Sequence, residues 1–315
     1  MTAPKIAVIT GPTATGKTAL GVLLAKAFNG EVVSADSMQL YRRMSIGTAK
    51  PTFDEMQGVP HHMLDVANPE ESFSVARYVH EADACVRDIL NRGRLPIIVG
   101  GTGLYIDSLV LGRDFAGPEI DEALRQSLSE KYDTLGGEAL LEELRKCDPQ
   151  RAEKLFPADK KRILRALEVF YSTGKTITEH DAETQKIPPK YDAATLALSF
   201  ENREKLYARI DARVDKMLEA GLFSEVRQLL DSGIPESATA LQAIGYKEAA
   251  LALKGEISTD EATALIKQES RRYAKRQLTW LRRKSDIGWI YWKDEPDFEA
   301  ARQYSTQFFS SHGLK

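Results

Sequence analysis

The hydrophobic positions along the chain follow two rhythms. Short, unbroken apolar runs rich in β-branched residues occur at KIAVIT (5–10), VVSAD (32–36), LPIIVGG (95–101) and YDAATLALSF (191–200). Runs of this length, closed by glycine or polar turns, predict buried strands. Between them the period lengthens. Residues 17–28 read as a helix. Val75, Val79, Ala82, Val86 and Ile89 recur at helical spacing from about Ser74, and Gly93 is placed to end that helix. Strand and helix in alternation predict an α/β fold with a parallel sheet, helices covering both faces. Residues 42–72, broken by Gly47, Pro51, Gly58, Pro60 and Pro69, predict irregular chain.

After Gly117 and Pro118 the texture changes. Residues 119–183 are charged and helical in pattern, while 203–231 and 258–285 predict long amphipathic helices. The simplest organisation is an α/β core formed by 1–118 and 191–315, interrupted by a helical insertion at 119–190, with helical C-terminal elements packed back on the core.

Composition narrows the function classes. The 315 residues carry a net charge of −3 with 43% hydrophobic positions, so a large core is available and any nucleic-acid surface must be a local patch. Cys85 and Cys147 lie far apart without metal-type spacing, which predicts no disulfide framework and suits a reducing cytoplasm. Cys85 falls on the apolar side of its predicted helix, as a buried thiol would. The apolar run from Ile6 to Ile9 is too short for a signal or membrane segment.

GPTATGKT, residues 11–18, matches G-x-x-x-x-G-K-[ST] between a predicted strand and a predicted helix. Gly11 and Gly16 let the backbone curl so that its N–H groups converge on phosphate oxygens. Lys17 adds a full charge, the helix N-terminus a partial one, and the Thr18 hydroxyl a ligand for Mg²⁺. A phosphate loop alone indicates only a polyphosphate. ATPases and kinases usually add an acid at the end of another strand. Here the candidate strand ends in Gly100, Gly101 and Thr102. The nearest acid is Asp36, at the C-terminal edge of the sheet, where open α/β folds bind ligands. Asp36 could organise magnesium through water, accept a proton from a nucleophile, or simply serve a turn or helix cap. The pair His61 and His62 lacks a third ligand at metal spacing, and hydrogen-bonding roles suit it better.

Read in order, GPTATGKT, SADSMQLY, IGTAKP, PHHMLD, VGGTGLY, KRILRALEVF, LQAIGYKE and AKRQLTWLRR resemble the tRNA dimethylallyltransferases, the tRNA isopentenyltransferase (IPP transferase) family. The blocks span residues 11–283. The resemblance implies a P-loop NTPase-like core and transfer of a dimethylallyl group from dimethylallyl diphosphate to N6 of the adenosine 3′ of the anticodon, with diphosphate leaving. It implies that Gly11, Pro12, Thr13, Ala14, Thr15, Gly16, Lys17, Thr18 and Arg213 hold the diphosphate with Mg²⁺ on Thr18. Asp36 would be the general base, and Thr102 the second site residue. Asp36, Ser37, Met38 and Gln39 would touch the target nucleotide. Lys161, Arg162, Ile163, Leu164, Arg165, Gln242, Gly245, Tyr246, Lys247, Lys275, Arg276 and Arg282 would line the path of the tRNA anticodon stem-loop, over which the insertion closes. A cytoplasmic monomer without a protein partner is the corresponding expectation.

The sequence supports the last basic block independently. Arg271, Arg272, Lys275, Arg276, Arg282, Arg283 and Lys284 crowd one segment, with i,i+4 pairs on one helix side. A solvated basic helix with core tryptophans is one use for such a run; here the arginines are expected to face phosphates. Trp280 is expected mostly to pack. A small-molecule or nucleotide kinase shares the phosphate loop but would consume ATP without RNA. A nucleotide-gated RNA-binding protein would bind tRNA and leave it unmodified.

Overall fold

The computed structural model describes residues 3–113, 121–184 and 186–314. Among these, six strands form one parallel sheet: β1 (Lys5–Thr10), β2 (Gly30–Ser34), β3 (His61–His62), β4 (Leu95–Val99), β5 (Asp192–Phe200) and β6 (Gly288–Trp292). Their order is β3-β2-β4-β1-β5-β6. The register pairs Ile9 with Val99 and with Leu196. The chain leaves β1 for one side of the sheet and, after β4, crosses to the other. The crevice at the C-terminal ends of β1 and β4 is therefore the switch point where such sheets bind ligands.

Alternation along the strands builds the two faces. In β1, Ile6 and Val8 join one core with Val33, Ile98, Tyr78, Val86 and Tyr246. Ala7 and Ile9 point the other way, into a second core with Leu20, Ile97, Leu196, Leu278 and Phe309. The helix Val75–Asn91, capped by the Ser74 hydroxyl, covers the first face; Lys17–Ala27 and Phe298–Ser311 cover the second. Buried strand positions on both sides explain why the runs read as continuous apolar segments. Cys85 is half-buried and packs against the first core.

Several elements lie where the pattern predicts none or something longer. β3 sits inside the stretch expected to be irregular, because two residues carry no periodicity. β6 and the helix Phe298–Ser311 also form from unassigned sequence. The expected helix 203–231 is two, Arg203–Glu219 and Leu222–Asp231, broken at Gly221 with φ 98°. VVSAD leaves the strand early: β2 ends at Ser34, and Ala35 and Asp36 already turn away.

The chain divides into two compact units, residues 1–112 with 190–315, and residues 113–189. The expected boundary at 118/119 lies outside the described residues. The second unit packs the helices Glu122–Leu135, Gly137–Cys147 and Lys160–Thr173 around Leu128, Leu140, Leu144, Ile163 and Leu167. Among the described residues no helix is long and apolar enough to cross a membrane.

Candidate active site

The loop 11–18 joins β1 to the helix Lys17–Ala27. Gly16 has φ 86° and Ala14 φ 64°, so the loop coils through left-handed conformations that only glycine adopts at little cost. The helix begins without a side-chain cap and without acid in its first turn, which leaves its positive end for an anion. The N–H groups of residues 14–18 have no hydrogen-bond partner among the described residues, and neither does the Thr18 hydroxyl. The carbonyls of Pro12, Ala14 and Thr15 are held by side chains. Thr15 Oγ1 donates to the Pro12 carbonyl at 2.9 Å, Trp292 Nε1 to that of Thr15 at 2.9 Å, and Arg209 Nε to that of Ala14 at 3.4 Å. The Phe298 ring lies against Gly16, where a Cβ would come within 2.8 Å of it.

Lys17 Nζ donates to the Pro12 carbonyl at 2.7 Å. Burial pushes its ammonium down to about 7; the Arg213 cation adds to the effect and the Asp36 carboxylate opposes it. Arg213, on the helix Arg203–Glu219, is also pushed down by burial, opposed by Asp36 and Glu55, and its Nε is buried without a hydrogen-bond partner among the described residues. Two cations crowd one pocket with a single carboxylate felt by both. Positive charge held without full compensation is what a polyanion would neutralise.

Asp36 reaches this pocket because β2 and β4 are neighbours. Ala35 N donates to the Val99 carbonyl at 2.8 Å and Thr102 N to the Ala35 carbonyl at 3.1 Å. Asp36 Oδ1 accepts from Met38 N at 2.9 Å and Gln39 N at 3.3 Å, an Asx-type turn that fixes the carboxylate. The turn role weighed for this residue is therefore real, and it leaves Oδ2 without a partner among the described residues. Ser37 N donates to Thr102 Oγ1 at 3.1 Å. The two residues assigned to the chemistry are thus tied through Ser37.

Several expected RNA contacts are placed differently. Tyr246 is fully buried: its hydroxyl donates to Glu225 Oε1 at 2.5 Å, and its ring lies against Gly47. Gly245 is buried as well. Tyr246 thus supports the chain around 45–49, where Glu225 also accepts from Ser45 N, Ile46 N and Gly47 N, while Gly245 N donates to Glu248 Oε2 at 2.8 Å. Gln242 and Lys247 are exposed. In the second unit, Ile163 is a core residue and the half-buried Leu164 packs against that core; an apolar residue on the inner helix face gains more from burial than from solvent. Lys161 and Arg162 are exposed, and Arg165 pairs with Glu168 at 3.2 Å. Met38 is half-buried against the first core, and the Gln39 amide donates to the carbonyls of Thr48 and Ala49.

The basic helix Thr259–Leu281 divides in the same way. Arg271 pairs with Asp211 and Arg272 with Glu269, each at 2.6 Å, and Lys284 pairs with Asp107, so these three are not free for phosphates. Lys275, Arg276, Arg282 and Arg283 are exposed without an ion pair among the described residues. Trp280 packs over Gly103, with Lys284 Nζ 4.3 Å from its ring centre. His62 and His61 hydrogen-bond to Glu31 and to the Val59 carbonyl, as ordinary polar residues. No cluster of three or more His, Cys, Asp or Glu side chains suited to a metal occurs among the described residues.

Sequence reasoning missed Arg209, Glu225, Tyr273, Gln277 and Trp292. All act across long chain separations. For Gln277 alone a signal existed: an amide on the apolar helix face that carries Ala274, Leu278 and Leu281.

The geometry can be set beside known proteins. The profile described as IPP transferase matches residues 39–284. A tRNA dimethylallyltransferase of Caldanaerobacter subterraneus subsp. tengcongensis is 48% identical over 300 residues, 95% of each chain. The full-length tRNA isopentenylpyrophosphate transferase of Bacillus halodurans superposes with a TM-score of 0.73 at 40% identity, covering 98% of both chains. A eukaryotic dimethylallyltransferase acting on tRNA superposes with a TM-score of 0.84 at 32% identity, over 99% of this chain and 81% of that one. On these matches the chain belongs to the IPP transferase family.

Proposed function

We propose that the protein transfers a dimethylallyl group from dimethylallyl diphosphate to N6 of the adenosine 3′ of the anticodon in tRNA. The C1–O bond to diphosphate breaks, the N6–C1 bond forms, and a proton from N6 passes to Asp36. An exocyclic adenine amine is a weak nucleophile, since its lone pair is delocalised into the ring. Two demands follow: neutralising the departing diphosphate and removing the amine proton as the bond forms. Lys17, Arg213 and the N–H groups of the loop suit the first. Asp36, oriented by its turn and linked through Ser37 to Thr102, suits the second.

The Thr18 hydroxyl, half-buried at the start of the helix, fits Mg²⁺ of the kind held mainly by phosphate oxygens and water with a single protein hydroxyl. Such an ion would supply further charge neutralisation for the leaving group. The target base must leave its stack to reach Asp36. Lys275, Arg276 and Arg282, exposed cations without an ion pair among the described residues, suit contacts with the RNA backbone.

The observation that carries this reading is the convergence of Lys17, Arg213 and Asp36 at one sheet edge in a member of this family. The test is purified protein with unmodified tRNA and labelled dimethylallyl diphosphate, with ATP as control. Label in tRNA is the expected result. ATP consumption without RNA would mark a kinase instead, and tRNA binding without label would mark a binding protein.

A further inference from the structure

A single amide bridges the two halves of the site. Gln277 lies on the helix Thr259–Leu281 with 7% exposure, 264 positions along the chain from Thr13. Its Oε1 accepts from Thr13 N at 3.1 Å, and its Nε2 donates to the Gly101 carbonyl at 3.0 Å. One turn earlier, the Tyr273 hydroxyl lies near both Gln277 and Thr102. Burial, with the nearby Asp36 carboxylate, holds that phenol up at about 12, so it remains a neutral hydroxyl. A Cβ on Gly101 would fall 2.2 Å from Gln277 Nε2, so glycine there is a condition of the contact. Thr13 N is also set apart from the five N–H groups that follow it in the loop, because it alone is taken by a distant side chain.

We propose that Gln277, assisted by Tyr273, is a positioning residue that sets the distance between the diphosphate cradle and the amine-handling residues. This rests on the transfer reaction proposed above. Each end of the amide touches one half of the machinery. Thr13 belongs to the loop that holds the leaving group. Gly101 precedes Thr102, whose hydroxyl holds Ser37 beside Asp36. The prenyl carbon is fixed by the first half and the attacking nitrogen by the second. In-line attack needs their separation to be right, and a misplacement of about 1 Å costs on the order of 10²-fold in rate. A buried amide with both ends paired is a stiff connector, because moving either loop leaves a polar group unsatisfied.

The experiment compares full-length wild type with Gln277→Leu, Gln277→Glu and Tyr273→Phe, using unmodified tRNA and dimethylallyl diphosphate. Rates are taken per folded site, counted by inorganic diphosphate binding. Gln277→Leu keeps the volume and loses both hydrogen bonds; its kcat should fall about tenfold to a hundredfold, with KM for the prenyl donor within about threefold of wild type. Tyr273→Phe should lower kcat by a smaller factor. Gln277→Glu keeps the acceptor for Thr13, and its protonated form regains a donor for Gly101. Its rate relative to wild type should therefore rise as the pH is lowered, which a purely structural role would not produce. A folded Gln277→Leu enzyme with wild-type kcat, or one in which only KM for the donor rises, overturns the proposal. If the wild type itself leaves tRNA unlabelled, it is the functional reading that fails, and the positioning role falls with it.

Discussion

The two ends of the parallel sheet handle buried charge in opposite ways. At the N-terminal end of β2, Glu31 is 2% exposed and is surrounded by two arginines and a histidine. Arg92 makes two hydrogen bonds to it, Arg94 pairs at 2.7 Å and His62 at 2.7 Å. Arg92 first, then His62 and Arg94, hold its carboxyl down at about 2 against the opposing effect of burial. At the C-terminal end, Lys17 and Arg213 share one pocket and repel each other, and, among the described residues, Asp36 is bonded through one oxygen and an Arg213 nitrogen is buried without a partner. The same kinds of residue are compensated at one end and left in conflict at the other. Compensation stabilises the fold, and conflict is relieved by a bound anion. Location along the strands decides which occurs, since ligands enter where the loops after the strands diverge.

The contrast can be broken most severely at Asp36. Asp36→Ala should lower prenyl transfer by about 10²–10⁴-fold in single-turnover assays while donor binding persists. Undiminished transfer would leave the enzyme assignment standing and remove the proton acceptor. Lys17→Ala should lower kcat/KM for the donor by about 10²–10³-fold, the scale of one lost charge-stabilising donor. At the other end, Glu31→Ala should cost roughly 2 kcal/mol in urea unfolding, below the usual figure for a broken buried pair because the arginines can rehydrate, and kcat should not change. A Glu31 substitution that disables transfer without destabilising the protein would erase the distinction between the two ends.

Acid and base sharpen it further. The folded carboxyl of Glu31 titrates below its ordinary 4.5, so its stabilisation is present above that value and is lost as the pH falls toward about 2. Acid unfolding of Glu31→Gln should lack this component. The Lys17 amine is depressed to about 7, so above neutrality the free protein holds it largely unprotonated. Donor binding restores its proton, and affinity should fall by at most about tenfold per pH unit above that point. Calorimetry in buffers of different ionisation enthalpy should register proton uptake at alkaline pH, absent in Lys17→Met. The smallest effect concerns the basic helix. Removing Arg276 should reduce the slope of log K against log salt for tRNA by about 0.7–0.9, whereas removing Arg271, already paired with Asp211, should not.

How far each part was legible depends on the range of the interaction. The strand β1, the loop 11–18 and the helix Val75–Asn91 follow from periodicity, glycine chemistry and an N-cap, all of which act within a few neighbours. Asp36 could be placed at the strand end from sequence, but its turn and its link to Thr102 needed β2 to lie beside β4. Tyr246 and Ile163 occur in blocks that resemble RNA-contacting segments, yet each is buried. The packing of distant helices determines which face of a residue's helix is inward, and a motif does not encode it.

The sequence by itself determined the α/β alternation, the phosphate loop with its lysine, and the family to which the ordered blocks belong. Hydrogen bonding and side-chain spacing within short windows are enough for those. Only the tertiary structure decided that Gln277 joins Thr13 to Gly101, that Trp292 and Arg209 brace the loop from the C-terminal part, and that Glu31 is neutralised while Lys17 and Arg213 are not. These depend on contacts between segments far apart in the chain, where burial strengthens every charge and hydrogen bond, and no local pattern records which groups will meet there.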